Sequence, residues 1–171
     1  MTDSGPDTPG DPAAWQFRYD VTPADRNAVR AIVQSTGFFN PAEVEVAVEL
    51  VEERLAKGPA SAYCFVFADR AGELLGYACY GPIAGTQASH DLYWIAVTPK
   101  VQGQGLGRLL MAETERLIRA LGGQRVYAET SSRDQYAPTR AFYQRCAYRL
   151  EAVLKDFYAP GDDKVIFVKV V

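Results

Sequence analysis

At 171 residues the chain is the size of one domain, and 48% apolar residues are enough to fill a substantial core. A net charge of −3 argues against a nucleic-acid surface, a single histidine without a Cys/His cluster argues against a metal site, and no apolar run reaches the length that spans a bilayer. Three cysteines, an odd number, and no secretory leader point to a reducing, cytoplasmic setting.

Residues 1–14, rich in Pro, Gly, Asp and Thr, read as a flexible arm, leaving 15–171 as a single domain. Gln16 to Val21 alternates enough for a first strand. Thr22-Pro23-Ala24-Asp25 then supplies an N-cap, a proline and a first-turn acid for a helix that buries Val29, Ile32 and Val33 and stops at Gly37. Asn40-Pro41 starts a second helix, with Val44, Val48, Val51 and Leu55 on one face and Gly58-Pro59 at its end. Glu43, Glu45, Glu49, Glu52 and Glu53 occupy its other faces, as a solvated surface or as a field that draws in a cationic amine. Phe38-Phe39, between the helices, is either a lid on the core or a substrate wall.

Ala62–Ala68 and Leu74–Tyr80 are apolar runs joined by Asp69-Arg70-Ala71-Gly72-Glu73, the signature of an antiparallel hairpin. A small polar loop, 83–89, leads to His90, which is structural or a proton carrier. Next comes the strand Leu92–Val97, ended by Thr98-Pro99. Glycines follow at 103, 105 and 107, and then Leu106, Leu109, Leu110, Leu117 and Leu121 recur at helical spacing. After the Gly122-Gly123 cap, Arg125–Thr130 reads as a strand parallel to Leu92–Val97, because a helix carries the chain back. A short helix, Pro138–Arg145, precedes two last strands. In the first, Tyr148, Leu150, Ala152 and Leu154 share one side; the second is Lys164–Val171.

Strand, glycine-rich turn, helix is an anion-binding arrangement: helix-start N–H groups lack intrahelical partners, and glycine lets a phosphate reach them. A Walker loop is excluded, since Gly107 is followed by Arg108-Leu109 rather than Lys-Ser/Thr. A dinucleotide turn fits poorly, because Thr98 to Gln102 separate the strand from the first glycine, although Glu129 stands where a ribose-binding acid would. Gln102-Gly103-Gln104-Gly105-Leu106-Gly107, after Val97-Thr98-Pro99, instead resembles the Q/R-x-x-G-x-G/A turn of the GCN5-related N-acetyltransferases (GNAT). A second block, Thr139-Arg140-Ala141-Phe142-Tyr143-Gln144-Arg145-Cys146-Ala147-Tyr148, resembles the A-x-x-F-Y-E-x-x-G-F stretch of the same family. Cys146-Ala147-Tyr148 departs from its usual Leu-Gly-Phe, and Tyr136 replaces a common asparagine.

The resemblance implies an α/β fold with a mixed sheet, in the order β-α-α-β-β-β-α-β-α-β-β, with central strands splayed for acetyl-CoA. It implies that Ile95, Ala96 and Val97 meet the pantetheine arm, and that the N–H groups from Gln102 through Gly103, Gln104, Gly105, Leu106 and Gly107 to Arg108 hold the pyrophosphate. No metal takes part. Freeing a lysine-like amine of its proton at pH 7 costs roughly 4–5 kcal/mol, so a carboxylate base is needed. Family members that acetylate ribosomal protein N-termini carry a glutamate on the strand where Glu129 stands. The family also places a tyrosine at Tyr143, which can protonate the leaving thiolate, while a strand N–H near Val97 meets the oxyanion of a tetrahedral intermediate. The expected activity is N-acetylation of a small-molecule primary amine. A protein N-terminus or lysine as acceptor, a non-catalytic acyl-CoA-binding module, and a homodimer remain open.

Overall fold

Along the strand Cys64–Arg70 (β2), Val66 and Ala68 turn to one side and Phe65 and Phe67 to the other. A strand buried on both faces needs a layer on each, and the chain builds a sheet with helices above and below. The structure is a computed structural model that describes residues 15–171; the arm expected over residues 1–14 lies outside them. In chain order the remaining elements are β1 (Gln16–Arg18), α1 (Asp25–Ser35), α2 (Pro41–Lys57), β3 (Glu73–Pro82), β4 (Ser89–Val97), α3 (Leu106–Ala120), β5 (Arg125–Ser131), α4 (Ala137–Arg145), β6 (Arg149–Ala159) and β7 (Asp162–Val170). The sheet order is β1-β2-β3-β4-β5-β7-β6, and β4–β5 is its parallel pair. The sequence-based order and the mixed sheet are both present.

One core lies between the sheet and α3 with α4, around Leu106, Leu110, Met111, Ile118 and Tyr143. The other lies under α1 and α2, around Val29, Val33, Val44 and Val51. Each such side chain contributes roughly 1.5–3 kcal/mol by leaving water. Two of the leucines that recur at helical spacing, Leu109 on α3 and Leu121 just past its end, are exposed.

Local signals hold for α2. Asn40 accepts from the Glu43 N–H while Glu43 accepts from the Asn40 N–H, a reciprocal cap. At α1 they do not. Ala24 occupies the cap position, and Asp25 is buried rather than a surface acid. Its carboxylate takes two bonds from Arg18, at 2.8 and 2.9 Å, and two from Thr22, at 2.6 and 3.0 Å. Burial pushes this carboxyl up, but those donors outweigh it and leave it below its ordinary value.

The last hairpin departs from its pattern in another way. Of the residues that alternate on one side, Tyr148 is buried but Leu150 and Leu154 are exposed, as are Val153, Phe157 and Tyr158. The reason is position: β6 pairs only with β7 and forms the sheet edge beyond the reach of either helix layer. Within β4, Tyr93 is an extra residue. Tyr80 pairs with Leu92 and Cys79 with Trp94, so a bulge falls between them.

Candidate active site

β4 and β5 pair from Ser89 with Arg125 to Leu92 with Ala128 and then separate. Beyond that point β5 stays on β7 and β4 stays on β3, so the sheet opens between them. The Thr98 N–H donates to the Leu75 carbonyl at 2.9 Å, which turns the main-chain groups of Thr98 and Ala96 toward β3. By the strict alternation of a strand, those of Ile95 and Val97 face the opening. A cleft of about 420 Å³ occupies the gap, lined by Ile95, Ala96, Val97, Gln102, Glu129 and Tyr143 among others.

The glycine turn stands at one end. Gly103 and Gly105 have φ of 79° and 84°, which side-chain-bearing residues rarely adopt. Gly107 serves packing instead: a Cβ there would meet the Phe142 ring of α4 at 3.2 Å. Sequence reasoning assigned every N–H from Gln102 to Arg108 to an anion, but three are engaged within the turn. Gln102 donates to Pro99, Gln104 to Val101 and Arg108 to Gly105. Among the described residues, the N–H groups of Gly103, Gly105, Leu106 and Gly107 have no such main-chain acceptor. They are the ones that fit a diphosphate. The Arg108 side chain is exposed, and the Gln102 amide bonds the Val97 carbonyl at 3.4 Å.

Tyr143 comes from α4, its ring boxed by Tyr148 and Phe167 at centroid distances of 5.9 and 5.5 Å. Burial pushes its phenol well above the ordinary value, with Cys146 adding to the effect, so the hydroxyl stays protonated at neutral pH. Glu129 comes from β5, half-exposed, and pairs with the Lys164 ammonium of β7. Glu129 and Tyr143 line the same cleft, as the sequence reading requires.

Phe38 and Phe39 are cleft walls. Phe39 packs on Trp94 at 4.9 Å, and Phe38 lies 6.1 Å from Tyr136, whose hydroxyl donates to the Phe38 carbonyl. The acidic face of α2 is mostly neutralised: Glu45 pairs with Arg30, Glu52 with Arg26 and Glu53 with Lys57. Glu43 alone among these lines the cleft. His90 sits at the far end of β4, pairing with Val126 and crowded by Gly123, away from the opening.

Sequence reasoning missed Asp91, Tyr93, Tyr158 and Lys164. Asp91, Leu92, Tyr93, Glu129 and Tyr158 line a side pocket of about 280 Å³ that shares Tyr93, Glu129 and Tyr158 with the main cleft. Burial raises the Asp91 carboxyl and nearby Glu129 raises it further, with Lys164 opposing. Burial, then Asp91, pushes Tyr93 up to about 12. No helix of the described residues is long and apolar enough to cross a membrane.

The sequence pattern of the acetyltransferase (GNAT) family matches residues 28–148. The chain is similar to a GNAT-family protein of known structure from Desulfovibrio desulfuricans: 52% identity, TM-score 0.91, covering 92% of this chain and 99% of that one. It is 33% identical over 94 residues to YuaI of Bacillus subtilis, named as an uncharacterized N-acetyltransferase. That match spans 54% of this chain and about half, 51%, of YuaI. At the level of fold, it resembles an aminoglycoside 6'-N-acetyltransferase complexed with coenzyme A (16% identity, TM-score 0.72, 91% and 96% coverage). It equally resembles the ribosomal-protein-S18-alanine N-acetyltransferase of Escherichia coli (19%, 0.71, 92% and 94%). The fold thus hosts acceptors of both kinds, small molecules and proteins.

Proposed function

Because the chain belongs to the GNAT acetyltransferase family, we propose that it moves the acetyl group of acetyl-CoA onto the primary amine of a small molecule. The observation that carries this reading is the parting of β4 from β5 after Leu92 and Ala128. It leaves Ile95 and Val97 main-chain groups facing a gap that runs between the glycine turn and Tyr143. An amide-bearing arm fits there as an added strand, and the N–H groups of Gly103, Gly105, Leu106 and Gly107 fit a diphosphate.

Acetyl-CoA supplies the activated acyl group; the protein supplies position and proton transfer. Glu129 takes a proton from the acceptor ammonium, directly or through water, so that the nitrogen attacks the thioester carbon. The Val97 N–H meets the oxygen on which charge develops. As the carbon–sulfur bond breaks, Tyr143 gives its proton to the departing sulfur, and the second proton shed by the new amide nitrogen restores the phenol through solvent. A small acceptor is favoured because the cleft is walled by Phe38, Phe39, Tyr93 and Tyr158. A cytoplasmic setting belongs to the same reading, the three cysteines being free thiols.

The test is thiol release from acetyl-CoA against a panel of amines, amino acids and peptides. Release with small amines and not with peptides supports the reading. Acetyl-CoA binding without release from any member points instead to a binding module.

A further inference from the structure

We infer that the acceptor carries a second cationic group, held in the side pocket by Asp91 between the Tyr93 and Tyr158 rings, so that linear diamines or polyamines are the preferred substrates. This rests on the amine-acetylation reading above and narrows it.

Place is the first reason. Asp91 pairs with Tyr127 where β4 and β5 are still joined, whereas the acyl group would arrive beside Ile95 and Val97, beyond the parting. Across the bulge their β3 partners, Gly81 and Ala78, are three residues apart, so about 10 Å at 3.3 Å per residue separates Asp91 from Ile95. One ammonium cannot serve both ends, but a molecule lying past Glu129 can. The side pocket and the main cleft share Tyr93, Glu129 and Tyr158, so the path between them is continuous.

Chemistry is the second reason. Two carboxylates, Asp91 and Glu129, face one ammonium, Lys164, and Lys164 pairs with Glu129. Among the described residues Asp91 has no ion-pair partner of its own. A half-buried carboxylate without a cation is unfavourable, and a ligand ammonium would correct it. The walls suit the same ligand: Tyr93, braced edge-on by Tyr63 at 5.3 Å, and Tyr158 present aromatic surface to it. The chain already builds this arrangement once with its own side chain. The Lys164 ammonium lies 4.3 Å from the centre of the Phe157 ring while it pairs with Glu129.

The experiment compares propane-, pentane- and octane-diamine with the n-alkylamines of the same lengths, by thiol release from acetyl-CoA. The longer diamines should exceed their monoamines in kcat/KM by about tenfold or more, through KM rather than kcat, the scale of one desolvated ionic contact. Asp91→Asn should bring the diamine-to-monoamine ratio toward one, with Asp91→Glu restoring part of it. Tyr158→Leu, a change at an exposed position, should lower the ratio less. It serves as the decisive variant if Asp91→Asn fails to melt cooperatively. A ratio near one in the wild type, or one that the Asp91 and Tyr158 changes leave untouched, overturns this inference alone. If no amine of either kind is acetylated while acetyl-CoA still raises the melting temperature, the amine-acetylation reading falls, and this one with it.

Discussion

Lys164 of β7 holds the carboxylate of Glu129 of β5 in an ion pair at the edge of the cleft. The two strands are hydrogen-bonded neighbours, with Lys164 opposite Ser131, so the pair is fixed by sheet register rather than by flexible loops. Glu129→Gln keeps the shape and removes the base. It should leave acetyl-CoA affinity nearly intact and lower turnover by about 10²–10⁴-fold. The loss should be greatest below the pKa of the acceptor amine and shrink above it, where free amine is abundant. A pH–rate profile for both proteins checks this, and a parallel downward scaling would remove Glu129 from the chemistry. The same change removes the counter-charge of Lys164 but keeps an accepting oxygen, so a denaturation curve should register a loss of about 1 kcal/mol or less.

Tyr143→Phe keeps the ring among Tyr148 and Phe167 and removes only the hydroxyl. The variant should fold normally and bind acetyl-CoA within a small factor of wild type, yet turn over roughly 10–10³ times more slowly. Burial holds the phenol in its protonated form, so the deficit should not vary across the neutral range. Wild-type turnover by the variant would move the acid to another group, such as Tyr136 on the same cleft.

Acetyl-CoA should raise the melting temperature well beyond NADH or ATP at equal concentration, since it alone matches both the turn and the splayed strands. Gly105→Val should abolish that shift. Because Gly105 has φ of 84°, valine also strains the backbone by roughly 1–2 kcal/mol. The measurement is therefore the ligand-induced shift and not the melting temperature itself. A larger shift with NADH would revive a dinucleotide reading.

Away from the site, Asp25→Asn should destabilise the fold by about 2–3 kcal/mol, by removing the charge that pairs with Arg18 and turning one of the two buried acceptor oxygens shared by Arg18 and Thr22 into a donor. The native carboxyl lies below its ordinary value. Its contribution is therefore whole above about pH 4 and is lost as pH falls through the lower, folded-state pKa. Denaturation series in acid should show a decline that is shallower in the variant than in the wild type, Glu45, Glu113 and Asp163 supplying what remains.

Much of the fold was legible because its signals are local. The Gln102–Gly107 turn, the Ala71-Gly72 hairpin and the return crossover to β5 each follow from adjacent residues. Glu129 and Tyr143 were picked out by the family resemblance, and the fold sets both on one cleft. What escaped depends on which strand lies beside which. Leu150 and Leu154 alternate as a half-buried strand does, and only the order β5-β7-β6 reveals that nothing covers them. The Arg18–Asp25 bond depends on how β1 turns into α1, and the Lys164–Glu129 pair on a β5–β7 register that no spacing encodes. Asp91 carries no local signal in the sequence, and only the pairing of β4 with β5 brings Glu129 near it.

The bulge at Tyr93 sets β4 one residue out of step with itself. On its N-terminal side the Ile83 N–H donates to the Ser89 carbonyl, so odd-numbered residues of β4 turn their main chain toward β3. On its C-terminal side the Thr98 bond to Leu75 gives that orientation to the even-numbered ones. Had the strand run evenly through Tyr93, Ile95 and Val97 would be tied to β3, and their amides would be lost to the cleft. The side chains would trade faces as well, driving the Trp94 indole toward α3 and pulling it from Phe39. A single unpaired residue thus switches the phase of the strand, letting its first half build the sheet and its second half face a ligand.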